Sequence, residues 1–97
     1  MNVIWSPRAN REFIKQAQWL EQNRGNQAVL QYYDEVEKAI KRISMPDFVL
    51  YRAVANNPGL HCYPFNRFTE LYYRLGAGQV ELVCFFDNRQ DPKNRGF

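Results

Sequence analysis

The chain is short of the side chains on which most hydrolytic and metal chemistry depends. Its 97 residues include one histidine, His61, and two cysteines, Cys62 and Cys84. A zinc centre needs several Cys or His ligands at paired spacings, and these residues provide neither the number nor the spacing. Two thiols also make a poor disulfide framework, and both lie in apolar runs, so buried reduced cysteines are expected. No glycine-rich phosphate loop occurs, and no metal or organic cofactor is implied. No apolar run approaches the roughly 18 residues of a membrane span. Met1-Asn2-Val3-Ile4-Trp5 lacks the charged start and long apolar stretch of a secretion signal, which leads to the expectation of a cytoplasmic protein without membrane attachment. Repeats, low-complexity stretches and interdomain linkers are missing too, so the length corresponds to one domain, 1–97, with one core.

What is present belongs to a packed protein. The hydrophobic fraction of 45% and aromatic fraction of 15% exceed what a disordered chain carries, so the chain is expected to fold. A net charge of +3 permits an anionic partner, whether nucleic acid or acidic protein, without requiring one. Basic and acidic residues alternate along most of the chain, and no block forms a polybasic tail.

The pattern predicts an α+β domain. Val3-Ile4-Trp5 is a short strand that ends at Ser6-Pro7, a helix cap followed by a first-turn proline. From Arg8 to about Gln22, Phe13, Ile14, Ala17 and Leu20 recur at helical spacing and form one apolar stripe. Asn23-Arg24-Gly25-Asn26 breaks that helix, with Gly25 at its end and Asn26 placed to cap the next. The second helix, about Gln27 to Ile43, sets Val29, Tyr32, Val36, Ala39, Ile40 and Ile43 on one face and is terminated by Ser44-Met45-Pro46-Asp47. Phe48 to Asn57 has no clean period and reads as loop or partial helix, and Asn57-Pro58-Gly59 is a turn.

The remainder reads as β structure. Leu60 to Phe65 forms a strand in which Pro64 indicates an edge or a bulge, and Asn66-Arg67-Phe68-Thr69 connects it to a hairpin turning at Ala77-Gly78. An even register sets Leu75 opposite Val80, Tyr73 opposite Leu82 and Leu71 opposite Cys84 on one apolar face. The other face then pairs Arg74 with Glu81, Tyr72 with Val83 and Glu70 with Phe85. The expected order is β-α-α-β-β-β, with two antiparallel helices on one face of a mainly antiparallel sheet and the other face open.

Several segments, taken in order, carry a resemblance: Ile4-Trp5-Ser6-Pro7-Arg8-Ala9, the two helices, Gly59-Leu60-His61-Cys62-Tyr63-Pro64-Phe65, Leu71-Tyr72-Tyr73-Arg74-Leu75, and Val80-Glu81-Leu82-Val83 leading to Asp87-Asn88-Arg89-Gln90-Asp91-Pro92. This set, which spans essentially the whole chain, resembles the RelE/ParE toxins of type II toxin-antitoxin systems. The resemblance implies a growth-arresting bacterial toxin neutralised by a cognate antitoxin in a hetero-oligomer. RelE-like members cut messenger RNA in the ribosome, whereas ParE-like members lack that chemistry and poison DNA gyrase. The ending Phe86-Asp87-Asn88-Arg89-Gln90-Asp91-Pro92 is similar to the ParE kind.

Candidate residues follow from both lines of reading. Metal-free RNA cleavage needs a base, an acid and cations for the phosphate, and the inventory for it is His61, Arg67, Arg74 and Arg89. A lone histidine is more often structural than catalytic, although His61 and Tyr63, two apart on a strand, share a face, taken here as the open one. Arg74 opposite Glu81 is expected to form an ordinary sheet salt bridge. Arg89, Asp91 and Lys93 are the candidates for target contact, with Asp91-Pro92 fixing a turn. Trp19 lies beside the first helical stripe and Tyr33 off the second, which makes both candidates for antitoxin contact. The leading expectation is a binding toxin aimed at gyrase. The rivals are a ribosome-dependent endoribonuclease and a degenerate relative that only binds antitoxin.

Overall fold

A computed structural model of the chain describes residues 2–45 and 51–97. Strand β1 (Asn2–Trp5) passes through Ser6 into helix α1 (Pro7–Arg24). The Ser6 hydroxyl accepts from the Ala9 N–H at 2.9 Å and donates to the Val83 carbonyl at 2.6 Å. One side chain thus caps the helix and ties its start to the sheet. Gly25, at φ +86°, ends α1 with its N–H on the Leu20 carbonyl at 3.0 Å and leads at once into α2 (Asn26–Ser44). The break is so tight that Asn26, expected to cap α2, is instead its first residue, and no side chain caps that start.

The other elements are β2 (Arg52–Ala53), β3 (Leu60–Pro64), β4 (Thr69–Gly76), β5 (Gln79–Asp87) and a 3-10 helix at Pro92–Arg95. One sheet contains all strands in the order β1-β5-β4-β3-β2. Among the described residues only the β1/β5 pair is parallel. The β-α-α-β-β-β order expected from sequence is the order found, with the two-residue β2 added at an edge. Residues 48 to 50 of the stretch read as loop or partial helix lie outside the described residues. The rest of that stretch holds β2 and a turn at Ala55-Asn56. Pro64 falls beyond the residues that β2 covers, so its missing N–H leaves no ladder bond unmade there.

The helices pack on one sheet face. Val36, Ala39 and Ile43 of α2 and Ala9 and Ala17 of α1 meet Tyr63, Leu71, Tyr73, Val80, Leu82 and Phe85. Burying a side chain such as Leu82 fully contributes about 1.5–3 kcal/mol. Ile14, expected in the α1 stripe, is 45% exposed. The stripe runs Ala9-Phe13-Ala17-Leu20 instead, a cleaner four- and three-residue rhythm that rotates Ile14 outward.

The hairpin register is as expected from Gly76 to Tyr73, then shifts. An irregularity between Tyr72 and Tyr73 sets Tyr72 opposite Cys84, Leu71 opposite Phe85 and Glu70 opposite Phe86, correcting the three pairings expected there. β5 has one residue more than β4 at that point, so Cys84 joins Val83 on the far face while Phe85 returns to the helix face. Glu12 of α1 reaches into the irregularity, and its Oε1 accepts the Phe85 N–H at 2.9 Å.

The sheet face away from the helices, expected to be open, carries a second core. Leu60, Cys62, Tyr72, Cys84 and Phe86 are buried there, and the C-terminal segment lies against it. Asp91 accepts from the Lys93 N–H at 3.0 Å and so starts the 3-10 helix. The Arg8 guanidinium then donates to the Asn94 carbonyl at 3.0 Å and to the Arg95 carbonyl. Arg95 donates to the Tyr72 hydroxyl at 3.1 Å, and the Phe97 ring meets Tyr72 edge-on at 4.8 Å. Both cysteines are free and buried. Burial pushes the Cys84 thiol up to about 12, which keeps it protonated and inert at neutral pH.

Candidate functional site

A groove of about 830 Å³ opens where α1 and α2 overhang the end of the sheet. Trp19, Tyr32, Phe68, Phe85 and Arg89 are among the residues lining it. Trp19 is exposed because it flanks the buried stripe of α1 rather than joining it. Phe68 is brought to the groove by the β3–β4 connection, which is built around Asn66. The Asn66 Oδ1 accepts the N–H groups of Phe68 and Thr69, both at 2.9 Å, forming an Asx turn. Asn88 then fastens this turn to the end of β5, its N–H on the Phe68 carbonyl at 2.8 Å and its side-chain amide on the Arg67 carbonyl at 3.2 Å.

These contacts fix the Phe68 ring at the groove, with its face available to cations. The Arg89 guanidinium lies 4.3 Å from the ring centroid and Arg67 lies 5.3 Å from it. Arg89 is held in place by Asp87, donating through Nε at 2.9 Å and through Nη2 at 2.6 Å. The hydrogen bond from Arg89 keeps the Asp87 carboxyl below its ordinary value, and the same bond raises Arg89. Lys15 and Arg24, also on the groove wall, form no ion pair within 4.0 Å among the described residues. The phenol of Tyr32 is raised well above its usual value, mainly by burial, so it stays neutral. The groove therefore offers two exposed aromatic surfaces, a guanidinium plane neutralised by its own carboxylate, and two unpaired cations at its wall. Such a surface suits recognition of another chain.

The residues singled out from sequence are distributed as follows. Trp19 and Arg89 line the same groove, although they were assigned to different partners. Tyr33 lies apart from it, 45% exposed and stacked on Phe13 at 5.5 Å. Asp91 caps the 3-10 helix, and Lys93 stands exposed within it. His61 and Tyr63 do share a sheet face, but it is the helix side. The His61 ring stacks on Tyr73 at 5.5 Å, with Nδ1 3.1 Å from the Tyr51 carbonyl oxygen. Arg74 is paired in register with Glu81. Its guanidinium instead donates to the Pro58 carbonyl at 3.2 Å, and it forms no ion pair among the described residues. Arg67 and Arg89 lie near the opposite end of the hairpin from Arg74, so the four residues considered for RNA cleavage do not converge.

Sequence reasoning missed Phe68, and a signal for it existed: a large aromatic in a polar connection, flanked by arginine, has no core position to occupy. It also missed a polar line on the second face. There Tyr72 donates to Glu70 at 2.8 Å, Arg52 reaches Glu70 at 3.5 Å, and Arg95 closes on the Tyr72 hydroxyl. The Tyr72 phenol is pushed up to about 12, first by burial.

A helical hairpin on one side of a five-stranded sheet, with a terminal β-hairpin crossing its centre, defines the fold class. The chain shares this fold with one in a solved structure described as the chromosomal ParDE TA system from P. aeruginosa, at a TM-score of 0.72, with 12% identity, over 90% of this chain and 95% of that one. No protein-family model matches the sequence, and no curated protein matches it. At this identity the likeness is one of fold, and the fold is the one the resemblance in the sequence led us to expect. Among the described residues no helix is long and apolar enough to cross a membrane, and no three potential metal-ligating side chains cluster.

Proposed function

We propose that the chain is the toxin of a type II toxin-antitoxin pair, that it acts by binding rather than by breaking bonds, and that its target is DNA gyrase. The observation that carries this reading is the fold shared across nine-tenths of the chain with a component of a ParDE system, together with a groove suited to another protein. A cognate antitoxin docks on the helical hairpin, with Trp19 entering the contact at the groove and Tyr33 on the adjoining helix surface. The segment after β5 meets the target through Arg89, Asp91 and Lys93. The scattering of His61, Arg67, Arg74 and Arg89 supports binding over RNA cleavage, because acid, base and phosphate cations must converge on one scissile group.

The test is induction of the chain in a bacterium without its antitoxin, with supercoiling by purified gyrase and the 5' ends of cellular messages followed together. Inhibited supercoiling with uncut messages is the expected result. New ribosome-dependent cuts with normal supercoiling would replace the reading with a ribonuclease. Soluble protein that leaves growth unaffected would leave only antitoxin binding.

A further inference from the structure

The two edges of the sheet are protected unequally. At one edge β2 is two residues long and carries Arg52, and Pro64 stands beyond it on β3. Short length, charge and proline are the devices by which an edge strand refuses further pairing. At the other edge β1 has the sequence Asn2-Val3-Ile4-Trp5, without charge, proline or bulge, and Ile4 is 41% exposed.

The hydrogen-bonding direction of β1 follows from its ends. The Asn2 N–H bonds the Gly78 carbonyl and the Ser6 N–H bonds the Leu82 carbonyl, each at 3.0 Å. Peptide groups alternate along a strand, so Asn2, Ile4 and Ser6 face β5, whereas the N–H and C=O of Val3 and Trp5 point away from the sheet. Side chains alternate in the perpendicular sense. Val3 and Trp5, registered on Val80 and Leu82, lie on the helix face, half-buried against the core, and Ile4 lies on the second face.

We infer that β1 is a homodimer edge, pairing antiparallel with β1 of a second copy about a twofold axis through Ile4. The self-complementarity of the strand points to this occupant. With the axis at Ile4, Val3 of each copy stands opposite Trp5 of the other. Val3 and Trp5 are the residues whose peptide groups face outward, so each such pair exchanges two hydrogen bonds. The two Ile4 residues meet as the closely spaced non-hydrogen-bonded pair between them, each covering the other's exposed side chain. The pairs at the centre of this register are apolar, Val3 with Trp5 twice on the helix face and Ile4 with Ile4 on the second, and the flanking pairs set Asn2 opposite Ser6, so no like charges meet across the seam. Moving the register by one residue would bring peptide groups facing β5 opposite outward ones and break the ladder. The result is one continuous sheet through two copies.

Sedimentation equilibrium of the full chain over a wide concentration range tests the proposal, alongside Val3→Pro and Ile4→Lys. Proline at position 3 removes one backbone donor, an outward N–H, and leaves the β1/β5 ladder complete, although it also trims the packing of Val3 against the core. Ile4→Lys sets like charges against each other at the axis. The expected result is a concentration-dependent dimer that each variant weakens by roughly tenfold or more, with far-UV circular dichroism unchanged. If Val3→Pro fails to fold, Ile4→Lys alone carries the test, since that side chain is already exposed. A chain monomeric at every concentration, or a dimer indifferent to the folded variants, overturns the proposal.

Discussion

Arg89 lines the groove as a positive charge already answered. Asp87 grips it in a bidentate pair and Phe68 lies beneath it, so a partner meets a flat ion pair rather than a free cation. Because the Asp87 carboxyl is held below its ordinary value, the ionised form favours the folded state. Its contribution is present above the unfolded carboxyl value near ~3.9 and is lost as pH falls through the lower folded one. An NMR titration of Asp87 is therefore expected to show a midpoint below that of an unfolded aspartate, and Arg89→Gln is expected to move it upward; an unmoved midpoint would show that the hydrogen bond is not its cause. Glu12 is a different case, since its Oε1 satisfies the Phe85 amide at the strand irregularity while its Oε2 takes the Arg8 Nε at 3.1 Å. Glu12→Ala leaves that amide without its acceptor and is expected to cost about 1–3 kcal/mol in urea denaturation. Glu12→Gln, which keeps an acceptor oxygen, is expected to lose less.

Among the elements, the C-terminal 3-10 helix is held to the rest of the fold by a few side chains. Arg8 holds the carbonyls at its end, where a cation is favoured, and Arg95 and Phe97 both rest on Tyr72. Arg8→Ala is expected to raise hydrogen-deuterium exchange at residues 94–97 selectively, leaving α2 and β4 protected; uniform loss of protection would mean that Arg8 holds the whole fold. None of this tail packing was legible in the sequence. Arg8 and Arg95 are 87 positions apart, and a polar ending without periodicity carries no sign of what it lies against. The helices and strands were legible, because Val36, Ala39 and Ile43 repeat at helical spacing and Val80 and Leu82 at strand spacing. The irregularity in β5 was not, since Val83-Cys84-Phe85-Phe86 is apolar throughout and an added residue leaves no break in the pattern. The wrong face assigned to His61 and Tyr63 has a related origin: parity relates residues within a strand but not which side the helices take. The groove was half legible. Trp19 and Arg89 were picked out separately, and their meeting depends on the Asx turn at Asn66 and its fastening by Asn88.

At the scale of the whole molecule, the proposed partners fall on adjoining rather than separate surfaces. Trp19 and Arg89 share a groove, while Lys93 stands on the 3-10 helix a few residues further on and outside that groove. Under the proposed function, an antitoxin segment seated between Trp19 and Phe68 would cover Arg89, and a target that needs Arg89 would then be excluded by occupancy. Neutralisation on that reading would be competitive and would require no change in the chain's shape, because both partners need the surface around Arg89. Three outcomes follow from the single geometry. Trp19→Ala is expected to weaken antitoxin binding by roughly tenfold or more, as loss of an exposed aromatic anchor does, and to leave growth arrest in place. Lys93→Glu is expected to reduce arrest while antitoxin binding, measured by calorimetry, stays within error of the parent. Antitoxin and purified gyrase are expected to displace one another from the chain in a pull-down titration. A stable ternary complex would mean that the antitoxin leaves Arg89 accessible and inhibits from a distance, and the groove would then have to be reassigned to the target alone.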